Sequence, residues 1–234
     1  MAGALRVGVG VADLRSEPKF RSERVDQAIW GEEVKLLGEE QDGYVKIRAP
    51  DGYEAFIMAN CLKKRSKPIE FKIVETFIHG DLRLPVGSLL TSGDVEELGI
   101  RQRYRRGLGY RVDMVAFGQR YLGVPYLWGG GTEFGTDCSG FTQRVYGFNN
   151  IALPRNADDQ ERAGEVVESL NDAAPADLVF FPGHVGMYMG KGKIIHSNLH
   201  AQRVSITDLN SKSEYAKRLK EAITSIRTYK RTLR

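Results

Sequence analysis

Cysteine is scarce in this 234-residue chain: Cys61 and Cys138 are the only two. Two thiols can close one disulfide but not a framework of them, so the fold has to rest on its apolar core. Long apolar runs are missing too, since no stretch approaches the ~20 residues that cross a bilayer. The opening MAGALRVGVGVADLR lacks a basic start followed by an extended apolar segment. It does not read as a secretory signal, and a reducing cytoplasm is the default expectation; an extracellular protein whose leader had been removed would read the same way. Charge of one sign is not in large excess either. Net charge is +4, from 34 Lys and Arg against 30 Asp and Glu, and a nucleic-acid binder concentrates its basic groups on one stripe. The two basic runs, 101–106 and 212–234, read as solvated surface, with 101–106 as a linker. Histidine is limited to His79, His184, His196 and His200.

What is present suffices for one large domain or two to three small ones: 41% of residues are hydrophobic and 27% charged. The first 64 residues look all-β. Asp42-Gly43 and Asp51-Gly52 are tight-turn signals, each followed by an alternating run, Tyr44-Val45-Lys46-Ile47 and Tyr53-Glu54-Ala55-Phe56-Ile57. Short, closely spaced strands suggest a small barrel, with Cys61 as a core-packing thiol at its end. Residues 65–107 read as a second, degenerate small barrel plus linker: Ile69–Ile73 alternates like a strand, and 84–88 (LPVGS) like a turn between strands.

From residue 108 to 234 the pattern changes. Val112, Val115, Ala116 and Leu122 approximate one helical face that ends at Gly123. Phe141, Val145 and Phe148 mark a second helix. Strands are expected within 177–182, at 185–189 and at 194–196, the last two joined across Gly190-Lys191-Gly192. Helices first and strands after argue for an α+β domain.

Cys138 lies in GGGTEFGTDCSGFTQRVYGF, residues 129–148. With Asp137 as N-cap it occupies the first turn of a helix, where unpaired N–H groups and the dipole favour a thiolate and could steady an oxyanion. Two readings stay open for it, an attacking thiol and a buried structural one. A cysteine nucleophile wants an imidazole base and a group to orient that base. A three-residue loop at 190–192 would set Gly186 opposite His196 and His184 diagonal to it on the same face. A two-residue loop would put the imidazoles on opposite faces. A metal site of Cys138, His184 and His196 would have three ligands and no second cysteine nearby, so no metal or cofactor is expected. His79 and His200 read as structural.

These stretches resemble the NlpC-type cell-wall cysteine peptidases, a papain-like family. The matching segments are 122–130 (LGVPYLWGG), 136–141 (TDCSGF), 153–160 (LPRNADDQ), 177–181 (DLVFF), 183–188 (GHVGMY) and 194–197 (IIHS), in the family's order. Residues 11–18 (VADLRSEP) and 51–53 (DGY) resemble a bacterial SH3 module. The resemblance implies SH3-like barrels followed by a papain-like α+β peptidase domain. It implies Cys138 as nucleophile, His184 as base and His196 as its orienting partner. Tyr126 and the Cys138 N–H would bind the oxyanion, and Asp137, Ser139, Trp128, Arg155 and Asn156 would belong to the substrate groove. Trp128 could equally be a core residue. Tyr53 is the candidate wall on the SH3 side, or else a barrel-surface aromatic.

Family members of this architecture resemble γ-D-glutamyl-L-diamino-acid endopeptidases that cut peptidoglycan stem peptides (L-Ala-γ-D-Glu-diamino acid), some of them recycling free peptides. That branch places an acidic residue after the Pro-Arg of 153–160, where this chain has Asn156, so the preference for a free amine is open. An exported hydrolase of intact wall, a non-catalytic wall-peptide binder and an acyltransferase remain as alternatives.

Overall fold

The computed structural model describes residues 5–108 and 111–229. The chain divides into two compact units, Met1–Tyr110 with Trp128–Glu133, and Arg111–Leu127 with Phe134–Arg234. Residues 1–4 and 230–234, the ends of the opening stretch and of the basic tail, lie outside the described residues.

In the first unit, β1 (Leu5–Val7), β2 (Val11–Arg15), β3 (Arg24–Ile29), β4 (Glu33–Leu36), β5 (Tyr44–Arg48), β6 (Glu54–Met58) and β7 (Leu62–Lys64) form one sheet. Its order is β3-β2-β6-β5-β4-β1-β7, with antiparallel neighbours throughout. Asp42 and Gly43 both take positive φ (51° and 80°) between the paired Gln41 and Tyr44, the backbone that a two-residue primed turn demands. Val7, Leu14, Ile47 and Ile57 form the core. Cys61 packs half-buried against that core as expected, its thiol pushed up by burial.

Residues 65–107 do not stand apart. β8 (Ile69–Ile73) is flanked by β11 (Leu89–Thr91) and β12 (Tyr104–Arg106), while β9 (Phe77–His79) and β10 (Leu82–Leu84) form a hairpin and α1 (Ser92–Glu97) follows β11. Trp30, from the chain just after β3, completes the core of Ile73, Leu84 and Leu90. Arg6 reaches from β1 to Asp94 of α1 in a buried bidentate ion pair at 2.6 and 2.7 Å. The basic stretch 101–106 is therefore not a linker. Its second half is β12, where Tyr104 packs edge-on to Phe71 at 5.1 Å and Arg105 and Arg106 stay exposed. One aromatic anchor among charges was enough for a strand. The first unit also takes in β13 (Gly131–Thr132): Gly131 N–H donates to Gln27 at 3.2 Å, and Glu133 accepts from Thr76 (2.6 Å) and the Val86 N–H (2.9 Å).

The second unit holds α2 (Met114–Gln119), β14 (Gly135–Thr136), α3 (Cys138–Phe148), α4 (Ala157–Ala163), β15 (Glu165–Val167), β16 (Leu178–Phe181), β17 (His184–Gly190), β18 (Lys193–Asn198), β19 (Arg203–Asp208), α5 (Glu214–Glu221) and β20 (Ser225–Thr228). A six-stranded antiparallel sheet runs β15-β20-β16-β17-β18-β19. With α2, α3 and α4 ahead of the sheet's strands and only α5 set between β19 and β20, this is the α+β pattern expected. Phe117 stacks on Phe148 at 4.3 Å and Tyr121 meets Phe141 edge-on, joining α2 to α3. A Cβ on Gly118 would lie 2.7 Å from Met187 Cε, so α2 approaches β17 closely. Val179, Phe181, Tyr188 and Ile194 pack with Leu209 and with Leu219 of α5. The basic run from 212 is thus more than solvated surface, since it supplies α5 and the inner strand β20, with Ala216 and Ile226 buried. Among the described residues no helix is long and apolar enough to cross a membrane.

Candidate active site

The first turn of α3 is built around Asp137. Its side chain caps the helix by accepting from the Gly140 N–H at 2.7 Å. The carboxylate also takes a two-pronged ion pair from Arg155, Nη1 to Oδ1 at 3.1 Å and Nη2 to Oδ2 at 2.6 Å. The same Nη1 donates to Ser139 Oγ at 2.9 Å. Gln160 of α4 accepts from the Thr142 hydroxyl and donates to the Ser139 and Pro154 carbonyls, which ties α4 to the same turn. Asp137, Ser139 and Arg155 are only 5%, 6% and 3% exposed. Burial and these hydrogen bonds make them a frame around the turn that carries Cys138.

Cys138 is buried as well, with its sulfur accepting from the backbone N–H groups of Val185 and Ser139. Val185 follows His184 directly, so the sulfur lies beside the start of β17. Burial, with Asp137 adding to it, pushes the thiol up to about 11, against the lowering effect of those N–H groups and of Arg155. Desolvation therefore works against the helix-tip thiolate that the dipole favours. Tyr126 is paired to Thr136 and its N–H donates to the Gln202 carbonyl at 2.9 Å. Burial, then the charges of Cys138 and Asp137, push its hydroxyl up to about 12. It is a protonated donor at neutral pH.

The hairpin settles the histidine register in an unexpected way. The loop is two residues, Lys191 and Gly192, both at positive φ (54° and 73°) between the paired Gly190 and Lys193. By itself it would put the imidazoles on opposite faces. A register shift between Tyr188 and Gly190 absorbs the slip, and beyond it Tyr188 pairs with Ile194 and Met187 with Ile195. Extended by one step, that register sets Gly186 opposite His196. A bulge therefore does what the three-residue loop was expected to do. His184 Nε2 and His196 Nδ1 are 2.7 Å apart. A Cβ on Gly186 would press on Ile194 Cδ1 at 3.1 Å and on His196 Cβ at 3.2 Å, so a side chain there would crowd the residues of β18.

Both imidazoles are held neutral. Burial lowers His184 to about 4, and burial, then the His184 and His200 charges, lower His196 to about 3. An unfolded histidine titrates near 6.5. Because both folded values lie below that, the unfolded chain binds protons first as pH falls. Stability is then complete above about pH 6.5 and is lost as pH drops toward 4. Urea unfolding at pH 6.5 and 4.5 should show His196→Gln losing less stability than wild type over that interval. An equal loss in both proteins would show that His196 is not held neutral.

Asn156 is exposed at the N-cap of α4, and its amide donates to Asp159 at 3.4 Å. Trp128 and Tyr53 belong to the first unit. Trp128 is 62% exposed and its indole N–H donates to Glu23 at 2.6 Å, so it is not a core residue. Tyr53 packs half-buried on the barrel core. His79 stacks on Phe77 in the first unit. Among the described residues no three His, Cys, Asp or Glu are grouped to hold a metal. Two neighbours of the imidazoles escaped sequence reasoning. Thr207 Oγ1 is 2.9 Å from His196 Nε2, and Tyr215 lies roughly parallel to His196 while stacking at 3.9 Å on His200. The alternation in β19 was the available signal for Thr207.

Residues 123–224 match the NlpC/P60 family, and residues 14–62 match the bacterial dipeptidyl-peptidase Sh3 domain. The chain thus carries an NlpC/P60 domain, the domain of a cysteine peptidase family, joined to an N-terminal SH3 domain of that bacterial type. It is 40% identical over 109 residues to the γ-D-glutamyl-L-lysine dipeptidyl-peptidase of Bacillus subtilis, a stretch covering 43% of this chain and 36% of that protein. It is 24% identical to dipeptidyl-peptidase 6 of Lysinibacillus sphaericus over 92% of this chain and 96% of that one. The aligned part thus spans about a third of the Bacillus relative's length and nearly all of the Lysinibacillus one. A crystal structure of an NlpC/P60 family protein from Bacillus cereus shares the fold at 21% identity, with a TM-score of 0.73 over 97% of this chain and 99% of that one.

Proposed function

We propose that this protein hydrolyses the γ-D-glutamyl–L-diamino acid bond of peptidoglycan stem peptides, acting on soluble peptides rather than on intact wall. The observation that carries the reading is the buried Cys138 sulfur beside β17 together with the 2.7 Å His184–His196 pair. His196 occupies Nε2 of His184, which leaves Nδ1 to take the Cys138 proton. The thiolate then attacks the γ-carbonyl carbon of D-glutamate, and the Tyr126 hydroxyl and the Cys138 N–H stabilise the oxyanion. The C–N bond breaks as His184 gives its proton to the leaving amine, and a thioester remains. His184 next takes a proton from water, the hydroxide displaces sulfur, and the thiol is restored.

Names among the relatives support this choice of bond, and neutral resting partners suit a proton transfer that occurs only with substrate present. Asn156 bears on the substrate's amine end. Its amide is neutral, and the nearby Asp159 carboxylate is taken by Arg162 at 2.5 Å. An ammonium would gain little charge attraction there, so N-acetylation should change kcat/KM by less than about tenfold. The test offers L-Ala-γ-D-Glu-L-Lys, its diaminopimelate counterpart, the N-acetylated forms and purified sacculi, with products identified by mass. Release of L-Ala-D-Glu from the soluble peptides is expected. Cleavage of sacculi alone, or at another bond, would overturn the proposal.

A further inference from the structure

The hydrogen-bonded line through the imidazoles does not end at His196. His196 is wholly buried, and its Nε2 lies 2.9 Å from Thr207 Oγ1. The sheet explains why these atoms meet. Thr207 pairs with Ile194 and Ser205 with His196 across β18 and β19. Thr207 is therefore diagonal to His196 on the same face, within side-chain reach.

We propose that Thr207 is a positioning residue for the Cys138 reaction, setting through its hydroxyl which nitrogens of the two histidines carry protons. This rests on the peptidase reading above. For His184 Nδ1 to accept the thiol proton, the His184 proton must sit on Nε2. It is then donated to a bare His196 Nδ1. His196 in turn carries its proton on Nε2, in a dry interior where an unpaired N–H is costly. The Thr207 oxygen accepts that N–H, and Thr207 itself is only half-buried. In the reversed arrangement His196 Nδ1–H donates to His184 Nε2. The His184 proton then lies on Nδ1 and the base is blocked. The hydrogen bond made by one ring nitrogen decides the state of the other, so removing the Thr207 oxygen strands the Nε2–H and favours the blocked arrangement.

A neutral hydroxyl in this place has a second consequence. The titratable neighbours of His196 are His184, which bonds to it, His200, and Tyr215, which lies roughly parallel to its ring. The two histidine charges oppose its protonation, and Thr207 brings no charge to favour it. His196 orients its partner without becoming charged, which leaves His184 the one imidazole that gains and loses a proton in the cycle.

The test compares Thr207→Val, which keeps the shape and loses the oxygen, with Thr207→Ser, which keeps the oxygen. The full chain is assayed on L-Ala-γ-D-Glu-L-Lys, and imidazole tautomers are read by 15N NMR. Thr207→Val should lower kcat by about 10- to 100-fold with KM within about twofold, and should move the His196 proton from Nε2 to Nδ1. Thr207→Ser should stay within about twofold of wild type in both readouts. Thr207→Ala carries the same expectation if the valine variant does not fold. Wild-type kcat and tautomers in the oxygen-free variants would overturn the proposal, and so would a serine variant as impaired as valine, which would assign the effect to the methyl group. Were wild type itself inactive on stem peptides, the function reading would fall, while the tautomer measurement would still decide the role of Thr207.

Discussion

Cys138→Ala lowers kcat on stem peptides by about 10⁴-fold or more while the chain stays folded. The sulfur is the only protein atom in the proposed cycle that bonds to substrate carbon. What remains without it is binding and oxyanion stabilisation, neither of which supplies a nucleophile. Loss of one buried sulfur removes little packing, about 1 kcal/mol, because Asp137, Arg155 and Gln160 hold the first turn of α3 independently of it. Cys138→Ser is expected to be nearly as inactive, since a hydroxyl surrenders its proton to the neutral His184 far less readily than a thiol does. Alkylation gives a second readout. With the thiol pushed up to about 11, labelling at residue 138 by iodoacetamide should climb with pH through 8 to 10. A plateau at pH 5 to 7 would show a resting thiolate. Turnover by the alanine variant within about tenfold of wild type would remove Cys138 from the mechanism.

Much of the site could be read from local pattern. Asp137 as N-cap and Cys138 in the first helical turn follow from a few adjacent residues, and α3 runs from Cys138 to Phe148 as that cap implies. The β5 and β6 strands followed from Asp-Gly turns whose chemistry is local. Three things escaped because they depend on distant partners. The hairpin register rests on a bulge near Met189, and no residue there announces one, so the right pairing was expected for the wrong reason. The resting state of Cys138 depends on how much protein covers it, and burial opposes the effect of the helix tip. The basic stretches misled because composition was weighed above single apolar anchors: Tyr104 makes β12 a strand, and Ile226 makes β20 an inner one. Trp30 adds a fourth case, an aromatic just after β3 that completes the core of 65–107, which no local pattern could reveal.

Arg155→Met destabilises the chain by about 3–5 kcal/mol and takes activity down with it. Arg155 and Asp137 are both buried, and their ion pair is two-pronged. Removing the guanidinium leaves the carboxylate in a dry site where the Gly140 N–H and the Ser139 hydroxyl are weak compensation. The turn so loosened carries Cys138, so even a well-folded fraction should lose kcat rather than gain KM. Arg155→Lys should rescue poorly, because a single ammonium cannot reach both carboxylate oxygens and Ser139 together. Asp137→Asn is informative in the other direction: asparagine caps helices as well as aspartate does, so what it loses is the charge that balances Arg155. Combining Asp137→Asn with Arg155→Met removes both buried charges at once. The double variant should therefore be more stable than the sum of the single losses implies, by about 1–3 kcal/mol in a double-mutant cycle. Urea unfolding of the four proteins measures that coupling. Strict additivity would mean that the pair exerts no mutual hold on the first turn of α3, and the placement of Cys138 would then need another cause.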